Sequence, residues 1–217
     1  MAQGSAAGIG PPGVILAGGR ARRMGGGDKG LLPLAGRRVI DHVIERLRPQ
    51  CRLLAINANG DPARFAEFGL PVLPDPVPDQ PGPLAGLLAA MDWAAGLGAV
   101  AAVTVAADTP FLPPDLVARL ESAATAGGAV AESPDAEGQM RAHPTFGLWP
   151  VALRAGLAAA IAGGERRLGR WAAACGAGRA AFGSEPFDPF FNINTPADLA
   201  AAERIAAMPA AQPRRIR

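Results

Sequence analysis

Six cations and seven glycines crowd one stretch of this chain. Residues 18–38 hold Arg20, Arg22, Arg23, Lys29, Arg37 and Arg38, with Asp28 the single acid, and the glycines run from Gly18 to Gly36. Immediately before lies a short apolar run, Gly13-Val14-Ile15-Leu16-Ala17, which suits a strand buried on both faces. Glycines let backbone N–H groups approach an anion with no Cβ in the way, and the cations neutralise it. Open α/β sheets bind ligands at the carboxyl ends of parallel strands, where this loop must sit. The chemistry indicated is phosphate binding; solvated arginines on a surface loop are the plainer alternative.

The loop is not a Walker A motif, because Gly30 follows Lys29 where Ser or Thr is needed. Two stretches spell G-x-G-x-x-G, residues 8–13 and 25–30. The first precedes the strand and the second starts eight residues beyond it. Asn57, not an acid, ends the second strand. A dehydrogenase is therefore set aside.

Asp108 ends another apolar strand in Ala106-Ala107-Asp108-Thr109-Pro110. A carboxylate there faces the same crevice and suits Mg²⁺ near phosphates, or it caps the following helix. Asn57 and Asp75 also end strands, as ligand contacts or as turn formers. Pro81-Gly82-Pro83-Leu84-Ala85-Gly86 brings glycines to a helix start, where backbone can meet a ligand. In Asn192-Ile193-Asn194 the two amides share one side of an extended segment. They read a polar heterocycle or cap the next helix. His143 is a lone histidine before a proline, with a structural role expected. Cys51 and Cys175 read as buried fillers, and Trp93, Trp149 and Trp171 as core.

Such residues need a sheet to gather them. Strands are expected at residues 13–17, 52–56, 71–74 and 100–106. Helices alternate with them at Val39–Leu47, from Asp61-Pro62 onward, at 84–97 and at 113–126. That alternation predicts an α/β fold with a mostly parallel, doubly wound sheet and helices on both faces. The second half is less regular: strands at 129–132, 145–149 and 180–182, and helices at 151–162, 165–174 and 196–208, the last capped by Thr195. An edge or antiparallel strand is expected in this half. Residues 18–38 and 75–83 are expected as loops. The domain division is a disordered lead at 1–12, one domain at 13–208 and a disordered basic tail at 209–217.

Composition bounds the rest. At ~150 residues per domain, 217 residues make one domain. Two cysteines and two histidines make no disulfide framework, thiolate zinc site or histidine cluster. A net charge of +2 across 40 charged residues, with no tyrosine, argues against a nucleic-acid partner. Residues 84–107 carry only Asp92 as a charge but are mostly Ala and Gly, so no membrane span is expected. The first residues do not read as a secretory signal.

With these residues in view, the chain resembles the molybdenum cofactor guanylyltransferases, the MobA family. The likeness rests on Leu16-Ala17-Gly18-Gly19, Arg23-Met24-Gly25-Gly26 and Asp28-Lys29-Gly30. It continues through Asn57-Ala58-Asn59, residues 81–86, Asp108-Thr109-Pro110-Phe111, His143-Pro144 and Asn192-Ile193-Asn194-Thr195-Pro196. The opening loop is shared with many nucleotidylyltransferases; Asp-Lys-Gly and the closing Asn-Ile-Asn-Thr-Pro make the match tight. The resemblance implies a Rossmann-like nucleotidyltransferase fold. It implies transfer of GMP from GTP to the terminal phosphate of molybdenum-molybdopterin, with Mg²⁺ as cofactor and pyrophosphate released. It implies Lys29, Arg23 and Asp108 as catalytic residues. Leu16, Ala17, Gly18, Lys29, Asn57, Asp75 and Asp108 would bind the nucleotide. Gly82, Gly86, Asn192 and Asn194 would bind the other substrate, and Asp108 the metal. A cytoplasmic monomer that meets molybdenum-insertion and target-enzyme chaperone proteins is also implied. Two departures are visible: Ala107 where the family often has Cys, and Arg38 where it commonly has Pro. A cytidylyltransferase, or a catalytically silent nucleotide-binding adaptor, is the alternative.

Overall fold

Successive residues of the first strand, β1 (Gly13–Leu16), face opposite layers of protein, and the rest of the fold follows from that alternation. The computed structural model describes residues 10–18, 28–77 and 82–208. Val14 points to a cluster with Ala55, Ala90, Ala94 and Ala102, while Ile15 joins Ile40, Val43, Leu47, Val103 and Leu120. Both faces are dry, so the strand reads as continuously apolar.

The flanking strands are β4 (Leu54–Asn57) and β6 (Ala101–Ala106), both parallel to β1. The two-residue strand β5 (Val72–Leu73) extends the sheet beyond β4. On the other side lie β8 (Met140–Pro150), antiparallel to β6, then β7 (Ala129–Pro134) and β9 (Gly178–Ala181). The order is β5-β4-β1-β6-β8-β7-β9, with β8 the one reversed strand. The sheet is thus mostly parallel, and β8 supplies the expected antiparallel member.

One face is covered by α1 (Val39–Leu47) and α3 (Leu116–Ala123), the other by α2 (Pro83–Gly96), α4 (Arg154–Ala162) and α5 (Leu168–Ala174). In α1 the buried residues Val39, Ile40, Val43, Ile44 and Leu47 form one stripe. Pro49 follows in a 3-10 turn and ends it. Alanines on α2 meet small residues of the sheet, so this helix packs close and its first turn lands at the carboxyl ends of the strands. The last helix, α6 (Pro196–Ala206), begins with a reciprocal cap. Asp198 N–H donates to Thr195 Oγ1 at 3.2 Å, and Thr195 N–H donates to Asp198 Oδ2 at 2.8 Å.

Several expectations need correction. The stretch 18–38 is not all loop: β2 (Pro33–Leu34) and β3 (Arg37–Arg38) make a hairpin turned by Ala35 and Gly36, both at positive φ. The helix expected from Asp61-Pro62 is present, with Asp61 as its N-cap, but Pro62–Phe68 is of the 3-10 kind and is stopped by Gly69 at φ +62°. Residues 192–194 belong to no strand. Residues 10–12 are not part of a disordered lead, because the Pro12 carbonyl accepts from Val103 N–H at 2.9 Å. Residues 1–9 and the tail 209–217 lie outside the described residues. No helix among the described residues is long and apolar enough to cross a membrane.

Trp149 fills the core between β8, α2 and α5, fully buried, and its indole N–H donates to Thr104 Oγ1 at 2.9 Å. The ring lies across Gly147, where a Cβ would sit 2.5 Å from the nearest ring carbon. Gly147→Ala therefore forces a dense core apart. It is expected to destabilise the fold by about 1–3 kcal/mol, read as a lower Tm in thermal denaturation. An unchanged Tm would mean that the ring moves freely, contrary to this packing.

Candidate active site

The carboxyl ends of β1, β4 and β6 open onto a cavity of about 320 Å³. It is lined by Leu16, Ala17, Gly18, Lys29, Gly30, Asn57, Asn59, Asp75, Gly82, Pro83, Ala106, Ala107, Asp108, Thr145 and Asn192. Nine of the residues singled out in the sequence lie in that lining: Leu16, Ala17, Gly18, Lys29, Asn57, Asp75, Gly82, Asp108 and Asn192. Gly86 does not line it but lies beneath, packed on Asn57 and Leu16. Asn194 stands at its edge and accepts a hydrogen bond from Lys29 Nζ. Arg23 lies outside the described residues.

One side of the cavity is cationic and carboxylate. Lys29 Nζ is 3.3 Å from Asp108 Oδ2, an ion pair between side chains only 17% and 21% exposed. Lys29 reaches that position from a 3-10 turn, Lys29–Leu31, in which Gly30 packs closely: a Cβ there would press Ala107 at 3.2 Å. Asp108 and its neighbour are pinned by the segment that precedes α6. Ile193 N–H donates to the Asp108 carbonyl at 2.9 Å, and Thr109 Oγ1 donates to Asn192 Oδ1. Ile193 itself is fully buried, so Asn192 and Asn194 both turn toward the lysine–aspartate corner. The shared side inferred from alternation is what the structure has, without a strand to impose it.

The Asp198 carboxylate accepts from Asn194 N–H at 2.9 Å as well as from Thr195. Burial alone would raise its pKa. The backbone N–H of Asn194, the Thr195 hydroxyl and backbone N–H, and the Lys29 charge outweigh this and hold it below the usual carboxylate range. Asp198 thus stays ionised and fixes the backbone that presents Asn194.

The other side is an amide–carboxylate lattice. Asn57, 3% exposed at the end of β4, donates Nδ2 to the Leu73 carbonyl at 3.0 Å and to Asp75 Oδ1 at 2.9 Å. Asn59 Nδ2 donates to Asp75 Oδ2 at 2.7 Å, and Asp75 N–H donates back to Asn59 Oδ1 at 2.8 Å. The three residues are rigidly held and project polar edges into the cavity. The N-terminus of α2, at Gly82-Pro83, completes this side with its positive dipole end.

Six lining residues were given no role in the sequence: Gly30, Asn59, Pro83, Ala106, Ala107 and Thr145. Asn59 lies two residues from Asn57, so alternation was a usable signal. Thr145 had none. It lies where β8 pairing jumps, with Gly147 opposite Val130 but His143 opposite Ala131. The extra residues between them bulge, and Thr145 is turned into the cavity.

His143 is outside the site. Its Nε2 is 2.8 Å from Ser133 Oγ, which donates to Asp188 Oδ1 at 3.0 Å, and its ring stacks on Phe190 at 4.5 Å. Burial lowers its pKa against the opposing pull of Asp188. Cys51 is 3% exposed, and burial, with the Glu121 charge, pushes its thiol up to about 12. Both residues keep the structural roles expected for them, whereas Cys175 is only partly buried.

A protein from Bradyrhizobium sp. (strain ORS 278), a molybdenum cofactor guanylyltransferase, is 52% identical over 203 residues, covering 91% of this chain and 93% of that one. This chain is a nucleotidyltransferase. Residues 13–177 match the model of the MobA-like NTP transferase domain, and the chain belongs to that family. Among solved structures, molybdopterin-guanine dinucleotide biosynthesis protein A from Archaeoglobus fulgidus superposes with a TM-score of 0.65 at 23% identity, covering 90% of this chain and 98% of that one. The 2-C-methyl-D-erythritol 4-phosphate cytidylyltransferase from Thermus thermophilus gives 0.64 at 21% identity, covering 92% and 100%. These two show the Rossmann-like nucleotidyltransferase fold, and the fold alone.

Proposed function

We propose that the protein transfers GMP from GTP to the terminal phosphate of molybdenum-molybdopterin, forming the guanine dinucleotide and releasing pyrophosphate. The observation that carries this is the pairing of Lys29 with Asp108 on one side of a cavity whose other side is the Asn57–Asn59–Asp75 lattice. A polyphosphate fits the first side and a nucleoside the second. In the reaction an oxygen of the acceptor phosphate forms a bond to the α-phosphorus of GTP, and the bond from that phosphorus to the bridging β-phosphate oxygen breaks. The acceptor is already an anion, so no strong general base is needed. The chain's task is to hold two anions together and to neutralise the leaving group. Lys29 does this as a point charge, Arg23 from the glycine-rich segment adds a second, and Asn192 and Asn194 hold the pterin-bearing partner.

The donors suit Mg²⁺. No cluster of three or more metal-binding side chains occurs among the described residues. The corner instead offers one carboxylate, Asp108, with amide and hydroxyl oxygens beside it, and Mg²⁺ takes one or two carboxylates together with substrate phosphates. Bound to Asp108, the ion would neutralise phosphate oxygens as charge develops. As such an enzyme the protein works in the cytoplasm as a monomer and meets molybdenum-insertion and target-enzyme chaperone proteins.

Isothermal calorimetry with GTP, CTP and ATP, each with Mg²⁺, tests the base. GTP is expected to bind at least tenfold more tightly than the others, about 1.4 kcal/mol. Preference for CTP would move the protein to the cytidylyltransferases. Transfer is then read as pyrophosphate release on adding molybdenum-molybdopterin.

A further inference from the structure

Asp28 is the one acid among the cations of residues 18–38, and it immediately precedes Lys29. A free carboxylate there would repel a triphosphate and compete for the lysine. It is not free. Arg64, from the 3-10 helix after β4, places Nε 2.6 Å from Asp28 Oδ2, an ion pair by proximity in which the Nε–H itself makes no hydrogen bond among the described residues, with the side chains 31% and 16% exposed. The same guanidinium donates through Nη2 to the Asn59 carbonyl at 2.5 Å and through Nη1 to the Asp61 carbonyl at 3.2 Å. It also lies 5.0 Å from the centroid of Phe65, which is fully buried.

The turn is shaped for this side chain. Gly60 has φ +84°, and a Cβ on it would sit 3.0 Å from Arg64 Nη1. Asn59-Gly60-Asp61 therefore wraps a guanidinium and presents it to Asp28. Arg64 is attached at once to the end of the glycine-rich segment and to Asn59, which braces Asp75. Arginine suits the task because its planar fork serves several acceptors in fixed directions.

We infer that the Arg64–Asp28 pair is a positioning device for the transfer reaction: it withdraws the Asp28 charge from the phosphates and ties Lys29 to the nucleoside side of the cavity. This rests on the proposed reading of the cavity as a nucleoside triphosphate site. Arg64 acts through Asp28 and touches no substrate.

The test uses the full chain with Mg²⁺ and two probes, inorganic tripolyphosphate and GTP, followed by calorimetry, with kcat and KM for transfer measured beside them. Arg64→Ala is expected to weaken both probes and to lower kcat, each by about tenfold, since Asp28 is left uncompensated and Lys29 untethered. Arg64→Lys retains the charge, so it should restore probe binding to within about threefold. The double variant Arg64→Ala with Asp28→Asn should also restore binding to within about threefold, since the stray charge is gone, while kcat stays low. A merely structural arginine would give no such split. Should Arg64→Ala fail to fold, Asp28→Asn alone decides: kcat falls several-fold with GTP binding held or tightened. Wild-type behaviour in Arg64→Ala, or in Asp28→Asn where Arg64→Ala does not fold, would overturn the inference while leaving the transferase reading intact. So would a double variant as weak as the single. The expected binding pattern without transfer to molybdenum-molybdopterin would instead overturn the transferase reading alone. Failure to bind either probe would overturn both.

Discussion

Asp108→Asn is expected to lower guanylyl transfer by about 10²–10³-fold while leaving the fold in place. The amide keeps the shape of the side chain and loses its charge. Lys29 then loses the carboxylate it is paired with, and the corner loses the one that would hold a cation against the phosphates. The fold survives because the anchors of this segment are elsewhere. Ile193 donates to the Asp108 backbone carbonyl, Thr109 is fully buried, and Ala107 is 3% exposed in the core. Lys29→Ala should show a loss of the same order, for it removes the other half of the pair. Because the two act as a unit, the double variant should be little worse than the poorer single variant. Pyrophosphate release and circular dichroism measure the two effects separately. Near-normal turnover in both single variants, with normal dichroism, would remove Asp108 and Lys29 from the chemistry.

Much of this site was legible in the chain because its parts are local. The strand, the break at Gly18, the lysine and the aspartate at the end of an apolar run each declare themselves within about ten residues. α1 was legible to the residue because its stripe is uninterrupted and Pro49 follows. α6 began where Thr195-Pro196 said it must. What was hidden depends on partners far off in sequence. The hairpin at residues 33–38 is two residues per strand, too short for a period. Its turn leans on α6, where Ala35 N–H donates to Glu203 Oε1 at 3.0 Å. The Asn59–Asp75 bonds span a separation of 16 residues. Thr145 owes its position to register, which β7 decides and the local sequence does not record. Nothing in the sequence singles out Arg64, because Asp28, its partner, lies on another element.

Gly86→Ala is expected to weaken GTP binding by tenfold or more, about 1.4 kcal/mol, with stability lowered by no more than about 2 kcal/mol. A methyl at this position would sit 2.3 Å from Asn57 Oδ1 and 3.1 Å from Leu16 Cδ2. One of the two elements must give way, and neither can do so cheaply. Asn57 has both amide protons committed, to Leu73 and to Asp75, so rotation of the amide breaks the lattice on the nucleoside side. α2 cannot retreat either, since Ala90 and Ala94 on the same helix pack against Val14, Ala55 and Ala102 of the sheet. Alanine gains about 0.8–1 kcal/mol over glycine in a helix interior, while overpacking costs about 1–3 kcal/mol, so the net loss of stability is about 0–2 kcal/mol and the strain falls on Asn57. Gly96→Ala is the control. It adds the same methyl to the same helix, with nothing among the described residues within 4 Å, and should leave GTP binding unchanged. Calorimetry on the pair separates helix propensity from the lattice. If Gly86→Ala binds GTP as the unaltered protein does, the Asn57–Asp75 side is not where the nucleoside lies, and the base must be read by the loop after β1 instead.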